Sequence, residues 1–283
     1  MIALSDKKQF AENWFRQLRN DICAEFEKLE IEADAALYVG EAAKFERKIW
    51  QRPQGGGGEM SLMRGRLFEK VGVNISTVHG EFSEKFRNEI PNAAEDPRFW
   101  ASGISLVAHM RNPHVPAVHM NTRFIVVGDG KKCWFGGGAD LNPMFANEHL
   151  ENIFHQSFKQ CCDAHNSQYY DKYKQWCDEY FFIKHRGEAR GAGGIFYDYL
   201  SDDWEGDFAF TQDVGRTFLQ IYPQIVRESM NTPWNEQDRS HQLFKRGRYA
   251  EFNLVYDRGT RFGLMTDGNV EAILMSLPPV ATW

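Results

Sequence analysis

Residues 71–77 alternate strictly, with Val71, Val73, Ile75 and Thr77 interleaved by Gly72, Asn74 and Ser76. This period of two is that of a strand, whose side chains point alternately to its two faces. Further strands are predicted at 44–52, closed by Pro53, and at 104–109, 118–127 and 132–135. Several follow one another through short links, so the sheet they form is mainly antiparallel.

Helices are expected on either side of this run. From Ser5 as N-cap, Phe10, Trp14, Leu18, Ile22, Phe26 and Leu29 recur near the 3.6-residue period of an amphipathic helix. Helical patterns return at 148–165 and at 169–185, where Tyr169, Tyr173, Trp176, Tyr180 and Ile183 share a stripe. A glycine-rich turn at 191–194 leads into a short strand at 195–198, then helices from about 205, kinked or divided by Pro223. Strands are predicted again at 249–256, 261–265 and 270–276. The pattern is that of an α+β fold with a mainly antiparallel sheet in a single domain over 1–283.

Of the 283 residues, 42% are hydrophobic, enough for a sizeable core and against disorder. The net charge of -6 argues against nonspecific nucleic-acid binding. No apolar run approaches the ~18 residues of a membrane span, and the first residues lack a basic stretch followed by an apolar one, so a cytoplasmic protein is expected. The five cysteines form an odd set without CxxC or CxxxCxxC spacing, which favours reduced thiols over zinc ribbons or iron-sulfur clusters.

The most informative segment is 118–127. His119, Asn121 and Arg123 lie two residues apart and share one strand face, which makes that face polar and cationic. Ser105, Val107 and His109 share a face of the preceding strand. A solvent-exposed edge strand would also tolerate polar residues, but Asn is depleted in strands. The stretch WFGGGADLNP from Trp134 is read as a loop whose three glycines either make a tight turn or let the backbone approach a ligand, with Asp140 following at once. Neither it nor the loop of four glycines at 55–58 is a phosphate cradle, because no GK[ST] follows and GxGxxG is absent from a strand-to-helix context. Glu251, Asn253 and Val255 would share a face of the strand at 249–256. Asp257 and Arg258 after it are either an ordinary turn or an acceptor and donor for a ligand with N–H groups and carboxylates. His109, His119, His155 and His185 lack the i, i+4 pairing of a local zinc site, so either a shared metal or isolated hydrogen-bonded histidines remain open.

Several long blocks occur in order: VHGEF at Val78, SLVAHMRNPHVPAVHMNTRF at Ser105, WFGGGADLNP at Trp134, KQWCDEYFFIKHRGEARGAGGIFYDYL at Lys174, FKRGRYAEFNLVYDRGTRFGLMTDGN at Phe244 and ILMSLPP at Ile273. Together they resemble the oxygen-dependent coproporphyrinogen III oxidase family. The resemblance implies a large, flat antiparallel sheet flanked by helices on both faces and a homodimer, and the apolar residues Phe252, Leu254, Ile273 and Leu277 put residues 249–283 in or near the interface. It implies oxidative decarboxylation of two propionates of coproporphyrinogen III to vinyl groups, giving protoporphyrinogen IX for haem synthesis. Dioxygen would be the co-substrate and no organic cofactor would be needed. By position, Ser105, Asn121, Thr122, Arg123, Asp267, Gly268 and Asn269 resemble the substrate contacts and His119 the proton donor. Asp140, Asp257 and Arg258 match other active-site positions. His109, His119, His155 and His185 match places assigned to a divalent metal cation. Three departures stand out: His109 precedes Met110 rather than a proline, the turn TDGN replaces TGGR, and relatives are expected to continue beyond the equivalent of Trp283. A histidine-metal hydrolase or oxygenase and a non-enzymatic tetrapyrrole carrier are the rival readings.

Overall fold

The computed structural model describes residues 2–88, 90–265 and 268–283. Its frame is a seven-stranded antiparallel sheet in the order β1 (Glu46–Gln51), β2 (Gly56–Met63), β3 (Phe68–Glu81), β4 (Arg98–Met110), β5 (Ala117–Val127), β6 (Lys132–Asn142) and β9 (Gly193–Leu200). The first six strands form a meander in chain order. Between β6 and β9 the chain makes α3 (Glu148–Asp163), α4 (Tyr169–Tyr180) and a small ribbon, β7 (Phe182–Ile183) with β8 (Glu188–Ala189). The remaining helices are α1 (Leu4–Glu32), α2 (Glu84–Arg87), α5 (Trp204–Ser229), α6 (Glu236–Val255), α7 (Arg258–Met265) and α8 (Val270–Leu274).

The alternation at 71–77 decides which face of the sheet is the core. Val71, Val73 and Ile75 share a cluster with Leu106, Met120, Phe124 and Ile195, and α1 and α5 cover it with Phe15, Ile22, Phe26, Phe218 and Tyr222. Phe26 stacks on Phe68 with ring centres 4.8 Å apart. Each such fully buried side chain stabilises the fold by about 1.5–3 kcal/mol. Gly72, Asn74 and Ser76 therefore face the other way, toward α6 and α8. Helices lie on both faces as expected, and among the described residues none is long and apolar enough to cross a membrane.

The strands predicted at 249–256, 261–265 and 270–276 are instead helical, falling in α6, α7 and α8. The α6 helix starts at a capping box: Asn235 accepts from the Asp238 amide and Asp238 accepts back from the Asn235 amide. Its buried face, Gln242, Arg246, Tyr249, Phe252 and Asn253, follows a helical spacing but is half polar, which hid it from a hydrophobic pattern. Gln242 and Arg246 are buried because both donate to the Met110 carbonyl, at 2.8 Å each. Glu251, Asn253 and Val255 accordingly do not share a strand face. The glycines of WFGGG are likewise strand, not loop, within β6, and Gly56, Gly57 and Gly58 belong to β2. Pro223 lies inside α5 without dividing it.

At the start of α5, Asp203 caps the Gly206 amide, while Asp207 is buried one turn on. Burial, reinforced by Asp202 and Asp203, raises the Asp207 carboxyl from 3.8 to about 6. A carboxyl raised on folding favours the native state while protonated in it, and that gain is lost once pH exceeds about 6. Asp207→Asn is therefore expected to stabilise the protein by about 1–3 kcal/mol at pH 7. The difference should vanish below pH 4, and urea titrations at both pH values measure it.

Candidate active site

The register of the central strands sets three rows of residues on the face opposite the core. They read Ser76–Gly103–Arg123–Gly136, Asn74–Ser105–Asn121–Gly138 and Gly72–Val107–His119–Asp140 across β3, β4, β5 and β6. Strands lie about 4.8 Å apart and alternate residues about 7 Å, so this floor measures roughly 14 Å each way. Glycines keep much of it flat. A Cβ on Gly136 would stand 2.5 Å from Asp198 Oδ1 and 2.8 Å from an Arg123 nitrogen, so this glycine is what lets the two side chains lie across the strand.

Polar side chains cross the floor in one hydrogen-bonded chain. Arg190 donates to Asp140 Oδ2 at 2.6 Å, and His119 Nδ1 donates to Asp140 Oδ1 at 2.8 Å. The Asn121 amide nitrogen faces His119 Nε2 at 3.1 Å, and its oxygen accepts from Arg123 at 3.0 Å. Arg123 also donates to Asp198 at 2.7 Å, whose second oxygen accepts from Trp134 Nε1 at 3.1 Å. Because the Asn121 oxygen is taken by Arg123, its nitrogen must donate to Nε2, which makes His119 the neutral Nδ1–H tautomer in this arrangement.

Asp140 is 1% exposed. Burial alone would raise its carboxyl, but the Arg190 guanidinium and the His119 bond outweigh this and hold it at about 2. Asn142 adds a further bond at 2.8 Å. Arg190 is enclosed by aromatic rings, its guanidinium 3.9 Å from the centre of Phe181, 4.6 Å from Tyr249 and 4.7 Å from Phe252. It also donates to Asn253 at 3.0 Å. A fixed anion thus stands behind His119, aligned from beneath and away from solvent.

Walls rise on three sides of the floor. The segment 272–277 lies on β3 and β4, its carbonyls accepting from Asn74 (Ala272, 2.9 Å), Lys70 (Leu277, 2.8 Å) and His109 Nε2 (Ser276, 2.9 Å). Phe181, Phe196, Phe252 and Cys177 form an apolar cluster beyond β6, joined by Tyr180. Trp134 packs with Phe82, Phe99 and Val127 at the remaining end.

Of the residues expected from sequence, the structure brings together Ser105, His119, Asn121, Arg123 and Asp140. Thr122 faces the core, fully buried on the opposite side of β5, as a period of two requires. Asp257 lies between two helices and not at a strand end: it accepts from Tyr180 Oη at 2.9 Å and from the Thr260 amide at 2.7 Å, capping α7. Arg258 is exposed, its guanidinium 5.5 Å from the Tyr180 ring. Asn269 caps α8 through the Ala272 amide at 2.9 Å, and Gly268 donates to the Gly263 carbonyl. Asp267 lies outside the described residues.

The four histidines stand on separate elements. His109 is buried, and burial with the nearby Arg246 lowers it to about 3. His155 bonds the Ala192 carbonyl and Tyr170 hydroxyl, while His185 bonds Glu251 and Tyr256. Among the described residues no three His, Cys, Asp or Glu side chains gather as ligands, so this donor set does not fit one shared ion. Arg190, Asp198 and Trp134 were not foreseen as site residues. Arg190 sits beside the glycine-rich turn with no periodic pattern to mark it, whereas the register of β6 would have placed Trp134 on the face of Asp140.

Gly136→Ala should leave the fold intact, since the atoms its Cβ meets are the ends of two flexible side chains. It should push the Arg123–Asp198 pair apart and raise KM for an anionic substrate about tenfold or more, on the order of the loss of one charge-assisted bond. Steady-state kinetics alongside thermal unfolding would show the two effects separating.

A flat, glycine-floored sheet face carrying a His–Asp–Arg unit and a second arginine is a surface of the class suited to a broad, anionic ligand. The chain belongs to the coproporphyrinogen III oxidase family, whose model matches residues 10–283. It is 58% identical over 275 residues to the oxygen-dependent coproporphyrinogen-III oxidase of Rickettsia akari (strain Hartford), covering 97% of each chain. To the protein of the same name from Rickettsia bellii (strain RML369-C) it is 57% identical over 277 residues, covering 98% of each. These relatives are matched over nearly their whole length, so they carry no long continuation past the matched part.

Proposed function

We propose that this protein converts coproporphyrinogen III to protoporphyrinogen IX by two oxidative decarboxylations with dioxygen. The supporting observation is the flat floor with its hydrogen-bonded chain from Arg190 to Asp198, set beside 58% identity to a named oxidase. At each step the propionate loses carbon dioxide and a hydride equivalent to become a vinyl group. Dioxygen takes up that hydride equivalent together with one further proton and leaves as hydrogen peroxide.

The chain's own residues divide the work by charge. Arg123, with N–H groups beyond those given to Asn121 and Asp198, holds a propionate by charge-assisted bonds. His119, aligned by Asp140, moves a proton at Nε2 once substrate displaces the Asn121 amide from it. Ser105 faces the same floor and is exposed to the ligand. The carboxylate of Asp257, bonded to Tyr180 and Thr260 and less buried than Asp140, is the acceptor we assign to the pyrrole N–H groups. The aromatic walls exclude water from the reacting carbon.

A second copy of the chain is the partner we assign, at the surface of α6 to α8, where Leu254, Val255, Leu264 and Val270 are exposed. The five unpaired thiols suit a cytoplasmic location. Incubation of the purified protein with coproporphyrinogen III in air and under argon, with vinyl products separated by chromatography, tests the function. Product in air only is the expected result.

A further inference from the structure

Strands β6 and β9 pair at Gly137–Tyr197 and again at Phe135–Leu200, so the single residue Gly136 faces both Asp198 and Tyr199. This is a β-bulge, a device that turns an extra side chain toward one face of a sheet. Tyr199 adopts φ 57°, a left-handed conformation that bulky residues rarely take. Its amide is held there by Asp198 Oδ1 at 3.0 Å. The same oxygen accepts from Trp134, and the Tyr199 ring packs on the Trp134 ring at 5.3 Å between centres. The Tyr199 side chain is thereby placed on the floor side of the sheet against Trp134, beside the Asp198 that accepts from Arg123.

The residue is 48% exposed, so its ring is only partly used by the fold. Burial raises its phenol, Asp198 adds to the rise, and the charges of Arg123 and Arg258 oppose it. A glycine would hold the left-handed backbone without strain, and the core gains little from the tyrosine. Strain concentrated at the rim of a site is characteristic of a ligand clamp.

The geometry points to Tyr199 as a substrate-positioning residue: its ring borders the macrocycle and its hydroxyl donates to the carboxylate that Arg123 holds. This rests on the proposed tetrapyrrole substrate and adds a contact that is absent from the residues foreseen in the sequence. Asp198 takes part indirectly, by fixing the bulge and Arg123 together.

The test uses the full chain with Tyr199→Phe and Tyr199→Gly. Equilibrium binding of coproporphyrin III, the stable oxidised form of the substrate, is followed by fluorescence. Turnover of coproporphyrinogen III is measured in parallel. The Gly variant should bind coproporphyrin III roughly tenfold more weakly, with KM raised to match, kcat little changed and a melting temperature at or above that of the parent. The Phe variant should weaken binding severalfold through the hydroxyl alone. A Gly variant that binds as the parent does overturns the proposal, and a Phe variant that does so overturns the hydroxyl contact. If the parent binds coproporphyrin III without converting coproporphyrinogen III, the oxidase reading fails while weakened binding by the variants still supports the clamp. If the parent does not bind it, both fail.

Discussion

His119→Ala lowers kcat for coproporphyrinogen III by about 10²–10⁴ and changes KM little. The expectation follows from where the imidazole stands. Its Nδ1 is committed to Asp140, a carboxylate kept ionised by Arg190, so only Nε2 can exchange a proton with a ligand on the floor. Under the proposed roles, removing the ring takes away the proton carrier and leaves Arg123, Ser105 and the glycines to hold the substrate before and during reaction alike. A loss confined to kcat is the signature of an interaction made in the transition state. Steady-state kinetics, with the fold checked by circular dichroism, decides it; unchanged kcat would remove His119 from proton transfer.

Arg190→Leu has the largest expected effect on stability. Both partners of the Arg190–Asp140 pair are 2–3% exposed in their side chains. Truncating one leaves a buried carboxylate without its cation, a change worth about 3–5 kcal/mol. For a chain of this size that is roughly a 10 °C fall in melting temperature. The Asp140 carboxyl is depressed on folding, from 3.8 to about 2, so its contribution is complete above pH 4 and is lost as the pH falls toward 2. The parent and variant curves should therefore converge at acid pH and diverge above it. Adding Asp140→Leu should recover part of the loss, because no charge is then left buried.

The polar face was readable from one strand. His119, Asn121 and Arg123 recur every second residue, and the backbone alone places them together. Their partners could not be found in that way. Asp140 follows the glycines of a strand that looked like a loop, since glycine is depleted from strands in general. Those glycines are present because side chains lie across them, a reason visible only once Arg123 and Asp198 are in place. The helical end of the chain was misread for a related cause. Gln242, Arg246 and Asn253 are buried with hydrogen bonds to Met110, Ser276 and Arg190, so they interrupt the apolar stripe that Tyr249 and Phe252 would otherwise mark on α6. Thr122 shows the converse, a residue within the expected contact block whose side chain is directed by strand alternation into the core.

The order of strands also governs how the molecule comes together in time. β1 to β6 pair with their immediate neighbours in sequence, so each hairpin closes a short stretch of chain and can form early. β9 joins β6 only after the excursion from Asn142 to Gly193 has been ordered, with the larger loop-closure entropy this entails. Arg190 and Asp198 arrive with that late strand. Arg123 on β5 and Asp140 on β6 are thus placed while Asp198 and Arg190, the partners of their charges, are still distant, and the nascent sheet carries one unpaired cation and one unpaired anion until the last strand docks.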